Sequence, residues 1–147
     1  MKNRSVDLYT TVLSRVLKKI HLAKSQLMAQ YDLKNTTATC LCELWNAPEG
    51  LIASELSQLC EMDKAQVSRC IAELVEKGFV YRDSREGQCY RQRHFLTESG
   101  KQIANKIVKG TEEAKNRMLQ GLTAEQVESF CRVIDVIEAN VEGFLEV

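Results

Sequence analysis

The stretch from Leu51 to Gly100, LIASELSQLCEMDKAQVSRCIAELVEKGFVYRDSREGQCYRQRHFLTESG, constrains the fold more than any other part of the chain. Two short amphipathic helical segments with a tight connection come first. A basic, Gly-containing hairpin follows, and then a new helix start. That order specifies a winged helix-turn-helix, a scaffold that presents one helix to the DNA major groove.

The remaining sequence frames this core with helices. Tyr9, Leu13, Val16, Ile20, Ala23 and Leu27 alternate spacings of four and three, so residues 6–29 carry one apolar stripe of a long helix. A second helix, capped by Asn35 or Thr36, turns Ala38, Leu41, Leu44 and Trp45 inward and ends at Asn46-Ala47-Pro48-Glu49-Gly50. The third covers about 53–60 with Leu56 and Leu59 as its buried pair. The fourth starts at Asp63, with Gln66 as a reciprocal capping partner, and buries Val67, Ile71 and Leu74. Gly78 stops it in the position glycine favours. Residues 79–82 and 91–96 read as two strands around a polar tip. Thr97 caps a fifth helix to about Leu119, and a Thr123-x-x-Gln126 box opens the sixth, with Val127, Phe130, Cys131, Ile134, Ile137, Val141 and Phe144 on one face.

The expected fold class is therefore mainly α: a winged helix-turn-helix core with a two-stranded wing, flanked by N- and C-terminal dimerisation helices. The chain of 147 residues is read as one unit, with residues 1–34 as the N-terminal dimerisation helix, 35–100 as the winged core and 101–147 as the C-terminal dimerisation helices. Two terminal helices this apolar need a partner, and a second copy of the chain supplies it, since DNA readers of this kind are usually twofold dimers on pseudo-palindromic sites.

A formal net charge of zero looks wrong for a DNA binder until it is divided along the chain. Residues 1–30 carry +5, 31–62 carry −4, 63–109 carry +4 and 110–147 carry −5. Salt screens charges beyond ~8–10 Å, so the local field around the fourth helix and wing governs phosphate attraction. No secretory leader is read at the N-terminus, and no apolar run approaches the roughly 18 residues that span a bilayer. The chain is expected in the cytoplasm, away from membranes.

Asp63-Lys64-Ala65-Gln66-Val67-Ser68-Arg69, Leu74-Val75-Glu76-Lys77-Gly78-Phe79-Val80, Arg82 and Leu96-Thr97-Glu98-Ser99-Gly100 together resemble the multiple-antibiotic-resistance regulator (MarR) family almost end to end. The resemblance implies a homodimeric, ligand-responsive transcription regulator, more often a repressor, that releases double-stranded DNA when a small aromatic or lipophilic effector binds. It also implies an effector cleft among the first, second and fifth helices, where His21, Tyr31 and Trp45 are candidates. One departure stands out. Many members carry Asp-x-Arg eight residues before the strand-final Leu, and Gln88-Cys89-Tyr90 occupies that place here. Arg85 and Arg91 are the available minor-groove substitutes, with Arg85 nearer the tip.

The candidate DNA contacts are Lys64, Ala65, Gln66, Ser68 and Arg69 on the fourth helix and Arg85, Arg91 and Arg93 in the wing. Arg forks onto guanine and Gln onto adenine, while Ser68 and Lys64 suit phosphate. Arg82 is read as structural, in an ion pair with Asp83. Outside that context, the same residues would read as a solvated helix face and a charged, aggregation-resistant strand edge.

Six cysteines lie in no zinc spacing, since Cys40-x-Cys42 is not Cys-x-x-Cys and Cys60, Cys70, Cys89 and Cys131 are isolated. Peroxide-sensing members of the MarR family use a cysteine in the first helix, and this chain has none before Cys40. Cys70 and Cys89 are the redox candidates, being placed in the reading helix and the wing. No cofactor, metal or catalytic constellation is expected. Two alternatives stay open: a winged-helix protein-interaction module without DNA binding, supported by the neutral charge and the missing Asp-x-Arg, and a thiol-based redox-sensing regulator.

Overall fold

A computed structural model describes residues 6–83 and 92–145, with side chains from residue 10 onward. Six helices and two strands follow in the order α1 (Val6–Ala29), α2 (Asn35–Asn46), α3 (Ala53–Leu59), α4 (Lys64–Glu76), β1 (Val80–Arg82), β2 (His94–Leu96), α5 (Glu98–Met118) and α6 (Ala124–Leu145). The chain forms two compact units, residues 1–111 and 112–147. The first holds α1 to α4, the strand pair and most of α5. The second holds the end of α5 and α6.

Each boundary in the first unit has a local cause. α1 ends where Asp32 enters the left-handed region (φ 53) and Leu33 N–H bonds back to the Met28 carbonyl at 3.2 Å. Lys77 holds the Asp32 carboxylate at 2.7 Å and keeps its pKa below the usual carboxylate range. The N-cap of α2 is Lys34, without a side-chain cap, rather than Asn35 or Thr36 as the sequence implied. Asn35 lies one residue inside the helix and donates to the Ser25 hydroxyl at 2.9 Å. Gly78 takes φ +72 just past the C-cap of α4, as its position in the sequence predicts.

The core of the first unit gathers one face from each element. Leu41, Leu44, Leu56, Val67, Ile71, Leu74, Val80, Leu96, Ala104 and Ile107 are buried together. In α3, Leu56 is fully buried, but Leu59 is 54% exposed. At i+4 from Leu56, Cys60 takes the inward position, which turns Leu59 to solvent.

The wing is an antiparallel pair with Val80 opposite Leu96, Tyr81 opposite Phe95 and Arg82 opposite His94. Leu51 extends it through an isolated bridge to His94, with N–H to carbonyl bonds of 3.2 and 2.8 Å in the two directions. His94 is only 6% exposed, and its Nδ1 lies 3.1 Å from the same Leu51 carbonyl, which makes Nδ1 the protonated nitrogen of a neutral ring. Burial lowers its pKa below the ordinary histidine value; the Leu51 contact opposes the shift, and the Arg82 charge reinforces it. A folded pKa below the unfolded one means that the unfolded chain takes up the proton first. The wing is therefore at full stability above about pH 6.5 and loses stability as pH falls from there towards the folded value. Denaturation midpoints measured from pH 8 to pH 5 are expected to drop across that interval, and His94→Gln is expected to flatten the drop.

In the second unit, Thr123 and Gln126 form the reciprocal capping box that the sequence implied. Thr123 N–H bonds to Gln126 Oε1 at 2.8 Å, and Gln126 N–H bonds to Thr123 Oγ1 at 3.2 Å. None of the α6 side chains is buried, and Phe130 and Phe144 are 60% and 80% exposed.

Candidate nucleic-acid interface

The candidate reading helix is α4. Asp63 caps it: its extended backbone (φ −69, ψ 159) aims a carboxylate oxygen at Gln66 N–H, 2.7 Å away. The Gln66 backbone N–H donates to Asp63, without the return bond from the Gln66 side chain that a full box would add. The turn before it is held by Ser57, whose hydroxyl donates to the Met62 carbonyl at 2.5 Å, and by Met62 N–H, which bonds to the Ser57 carbonyl at 3.1 Å. Glu61 adopts φ 51 in that turn, a left-handed conformation that side chains seldom take.

Val67, Cys70, Ile71 and Leu74 lock the inner face of α4 into the core. The Glu73 carboxylate accepts the hydroxyl proton of buried Thr37 at 2.8 Å, which ties α4 to α2. What remains outward is Lys64, Ala65, Ser68 and Arg69, all exposed, with Gln66 half-buried beside them. Residues 64 and 68, and 65 and 69, are four apart, so these side chains form one strip over the first turn and a half. That strip has a cation at each end and small or hydroxyl-bearing residues between, a surface that permits close approach to a groove.

The wing is pinned to the same body. Arg93 Nη1 donates to the Gly50 carbonyl at 2.6 Å and faces the Glu55 carboxylate at 3.6 Å. The same Glu55 oxygen accepts Ile52 N–H at 2.9 Å, so one carboxylate holds both the start of α3 and the returning wing strand. Arg93, a DNA-contact candidate in the sequence, thus has a structural task as well. Arg85, Arg91 and Cys89 lie outside the described residues. Arg82 is exposed on β1.

The effector candidates are not brought together. His21 is exposed on α1, Tyr31 is half-buried in the turn after it, and Trp45 sits at the end of α2. Of the three, only Trp45 borders a cavity of about 350 Å³ that Pro48, Tyr81, Phe95 and Lys101 also line. Tyr81 and Phe95 stack there with centroids 5.5 Å apart. Among the described residues, no group of histidine, cysteine and carboxylate side chains could hold a metal ion. No described helix is long and apolar enough to cross a membrane.

A sequence model of the IclR helix-turn-helix domain matches residues 44–84, the segment from the end of α2 through β1. The chain is 24% identical over 111 residues, 76% of its length and 73% of the relative's, to the uncharacterised HTH-type transcriptional regulator YybA of Bacillus subtilis (strain 168). Its fold matches the MarR family transcription regulator SP03579 with a TM-score of 0.82 at 17% identity, over 95% of this chain and 93% of that one. It matches the transcriptional regulator SlyA at 0.77 and 21% identity over 94% and 96%. It matches MepR of S. aureus in its DNA complex at 0.76 and 17% identity over 96% and 99%. The chain has the winged helix-turn-helix fold of MarR-type regulators, as the sequence implied.

Proposed function

We propose that the chain is a MarR-family transcription regulator, a homodimer that binds a pseudo-palindromic double-stranded DNA operator in the cytoplasm and acts as a ligand-responsive repressor. The observation that carries this reading is the exposed Lys64-to-Arg69 strip on a helix whose opposite face is fully committed to the core. A helix held on one side and capped at its groove-facing end presents its side chains without rearrangement. Arg69 and Gln66 are assigned to base edges, and Lys64 and Ser68 to phosphate, with Ala65 allowing close approach. The wing arginines Arg85, Arg91 and Arg93 are assigned to the flanking minor groove or backbone.

The exposed apolar faces of α1 (Leu13, Val16, Leu17) and α6 (Phe130, Val133, Ile137, Val141) support a second copy as the partner. A dimer places two reading helices in successive major grooves, ~34 Å apart. An effector that favours another spacing releases DNA through its differential affinity for the two states. The aromatic-lined cavity at Trp45 is the best described space for a small aromatic or lipophilic molecule.

Fluorescence anisotropy with duplex DNA from the protein's own upstream region, across a salt series and beside a scrambled duplex, tests the reading. Sequence-dependent binding is expected, with log K falling against log salt by about 0.9 per phosphate contact. Absence of binding to either duplex at low salt would instead favour a protein-interaction module.

A further inference from the structure

The packing of α2 against the α3–α4 turn brings together two cysteines that are 20 residues apart in sequence. The Cys60 thiol donates to Cys40 Sγ across 3.7 Å. Cys40 sits at the centre of α2 with no solvent exposure, between core residues, while Cys60 is the half-buried C-cap of α3. We propose that Cys40 and Cys60 form an intrachain disulfide under oxidant and that the cross-link lowers DNA affinity; this second part rests on the regulator reading above.

Cys60 is the thiol an oxidant can reach. A hydroperoxide, the co-reactant, accepts electrons from Cys60 sulfur, giving a sulfenic acid and the corresponding alcohol or water. Cys40 sulfur then attacks Cys60 sulfur, the S–O bond breaks, and the oxygen leaves as water after taking the Cys40 proton. Cys40 is the sulfur within hydrogen-bonding reach of Cys60; Cys42 on the same helix, whose thiol burial and the Glu43 charge push up to about 11, makes no such contact. Burial also raises the Cys40 and Cys60 thiols, which makes the pair slow at neutral pH and faster in base.

The geometric cost falls on the reading helix. A disulfide needs sulfurs about 2.05 Å apart, so the pair must close by roughly 1.7 Å from 3.7 Å. Cys40 is fixed inside a helix by buried neighbours, so most of the movement belongs to Cys60 and the turn it begins. Asp63, three residues on, caps α4, and Lys64 and Ala65 follow it directly. The strained Glu61 backbone between them leaves that turn little tolerance for displacement.

The test uses the full chain carrying Cys131→Ser, which removes an exposed thiol able to link two chains. After hydrogen peroxide treatment at pH 7 and pH 8.5, non-reducing peptide mapping is expected to show the Cys40 and Cys60 peptides joined, with two hydrogens lost per chain. Formation should be several-fold faster at the higher pH. Operator affinity should fall at least tenfold, recover with dithiothreitol, and stay unchanged by peroxide in Cys60→Ser. The cross-link is read without DNA. Its absence, or the pairing of Cys40 with another cysteine, overturns the inference whatever the chain binds. A complete Cys40–Cys60 link with unaltered operator affinity overturns the switch. Failure of the reduced protein to bind any DNA overturns the regulator reading while the joined peptides still establish the modification site.

Discussion

Arg69→Ala is expected to cut specific DNA affinity by about 5- to 150-fold per half-site, and by roughly the square of that in a dimer, while leaving the fold intact. The range follows from the ~1–3 kcal/mol carried by one bidentate contact between arginine and a base edge. Arg69 is exposed, so its removal creates no cavity. The informative comparison is Lys64→Ala, five residues earlier on the same strip. A lost phosphate contact weakens binding to operator and scrambled DNA alike and lowers the salt slope by about 0.9 per contact. Anisotropy on both duplexes separates the two: Arg69→Ala should collapse the ratio of operator to scrambled affinity, and Lys64→Ala should preserve it. An Arg69→Ala protein that keeps that ratio would remove Arg69 from base reading.

Gly100→Ala should be strongly destabilising, because the added methyl group meets rigid backbone. A Cβ at Gly100 would overlap the Phe79 carbonyl oxygen and stand 2.9 Å from its carbon and 3.2 Å from its Cα, all backbone atoms. Phe79 cannot withdraw, because its carbonyl accepts Thr97 N–H at 3.0 Å and its N–H bonds to Leu74 at 2.9 Å. The hydroxyls of Thr97 and Ser99 both donate to the Gly78 carbonyl, at 2.6 and 3.0 Å, so the end of α4 is fastened to the start of α5 on every side. Overpacking usually costs ~1–3 kcal/mol, and rigid backbone on the receiving side places this change at or above the top of that range. Urea denaturation should show a loss of about 3 kcal/mol or more. Gly110→Ala is the control, since its Cβ meets only the flexible end of Leu27 at 3.1 Å and gains helix propensity. A Gly100→Ala protein as stable as the parent would mean that α5 can slide on the α4–β1 corner.

Much of this corner was legible in the sequence. Gly78 and Thr97 are punctuation whose meaning is local, as are the 6–29 stripe that became α1 and the Thr123–Gln126 box, whereas the tight fit of Gly100 depends on the distant Phe79 backbone. The sequence was less informative where a residue's role depends on elements distant in sequence. Leu59 and Cys60 compete for one inward position on a seven-residue helix, and a hydrophobicity pattern favours leucine. Arg93 reads as one more wing cation until the fold places the Gly50 carbonyl and Glu55 against it. The sequence pointed to Cys70 and Cys89 for redox chemistry. Cys70 is buried against Thr37, Cys89 lies outside the described residues, and the approach of Cys60 to Cys40 is one that no spacing rule could reveal.

The 22-residue α6, with no side chain buried, has a consequence for the cell as well as for the operator. A helix that cannot cover its own apolar face draws its stability from what it packs against, and in the proposed homodimer the final ordering of that segment would be a second-order event in chain concentration. If unpaired chains were removed faster than the proposed dimer, a low rate of synthesis would yield disproportionately little surviving protein and a modest increase disproportionately more. Through this uncovered surface, the proposed dimer would convert the dose of the gene into a threshold.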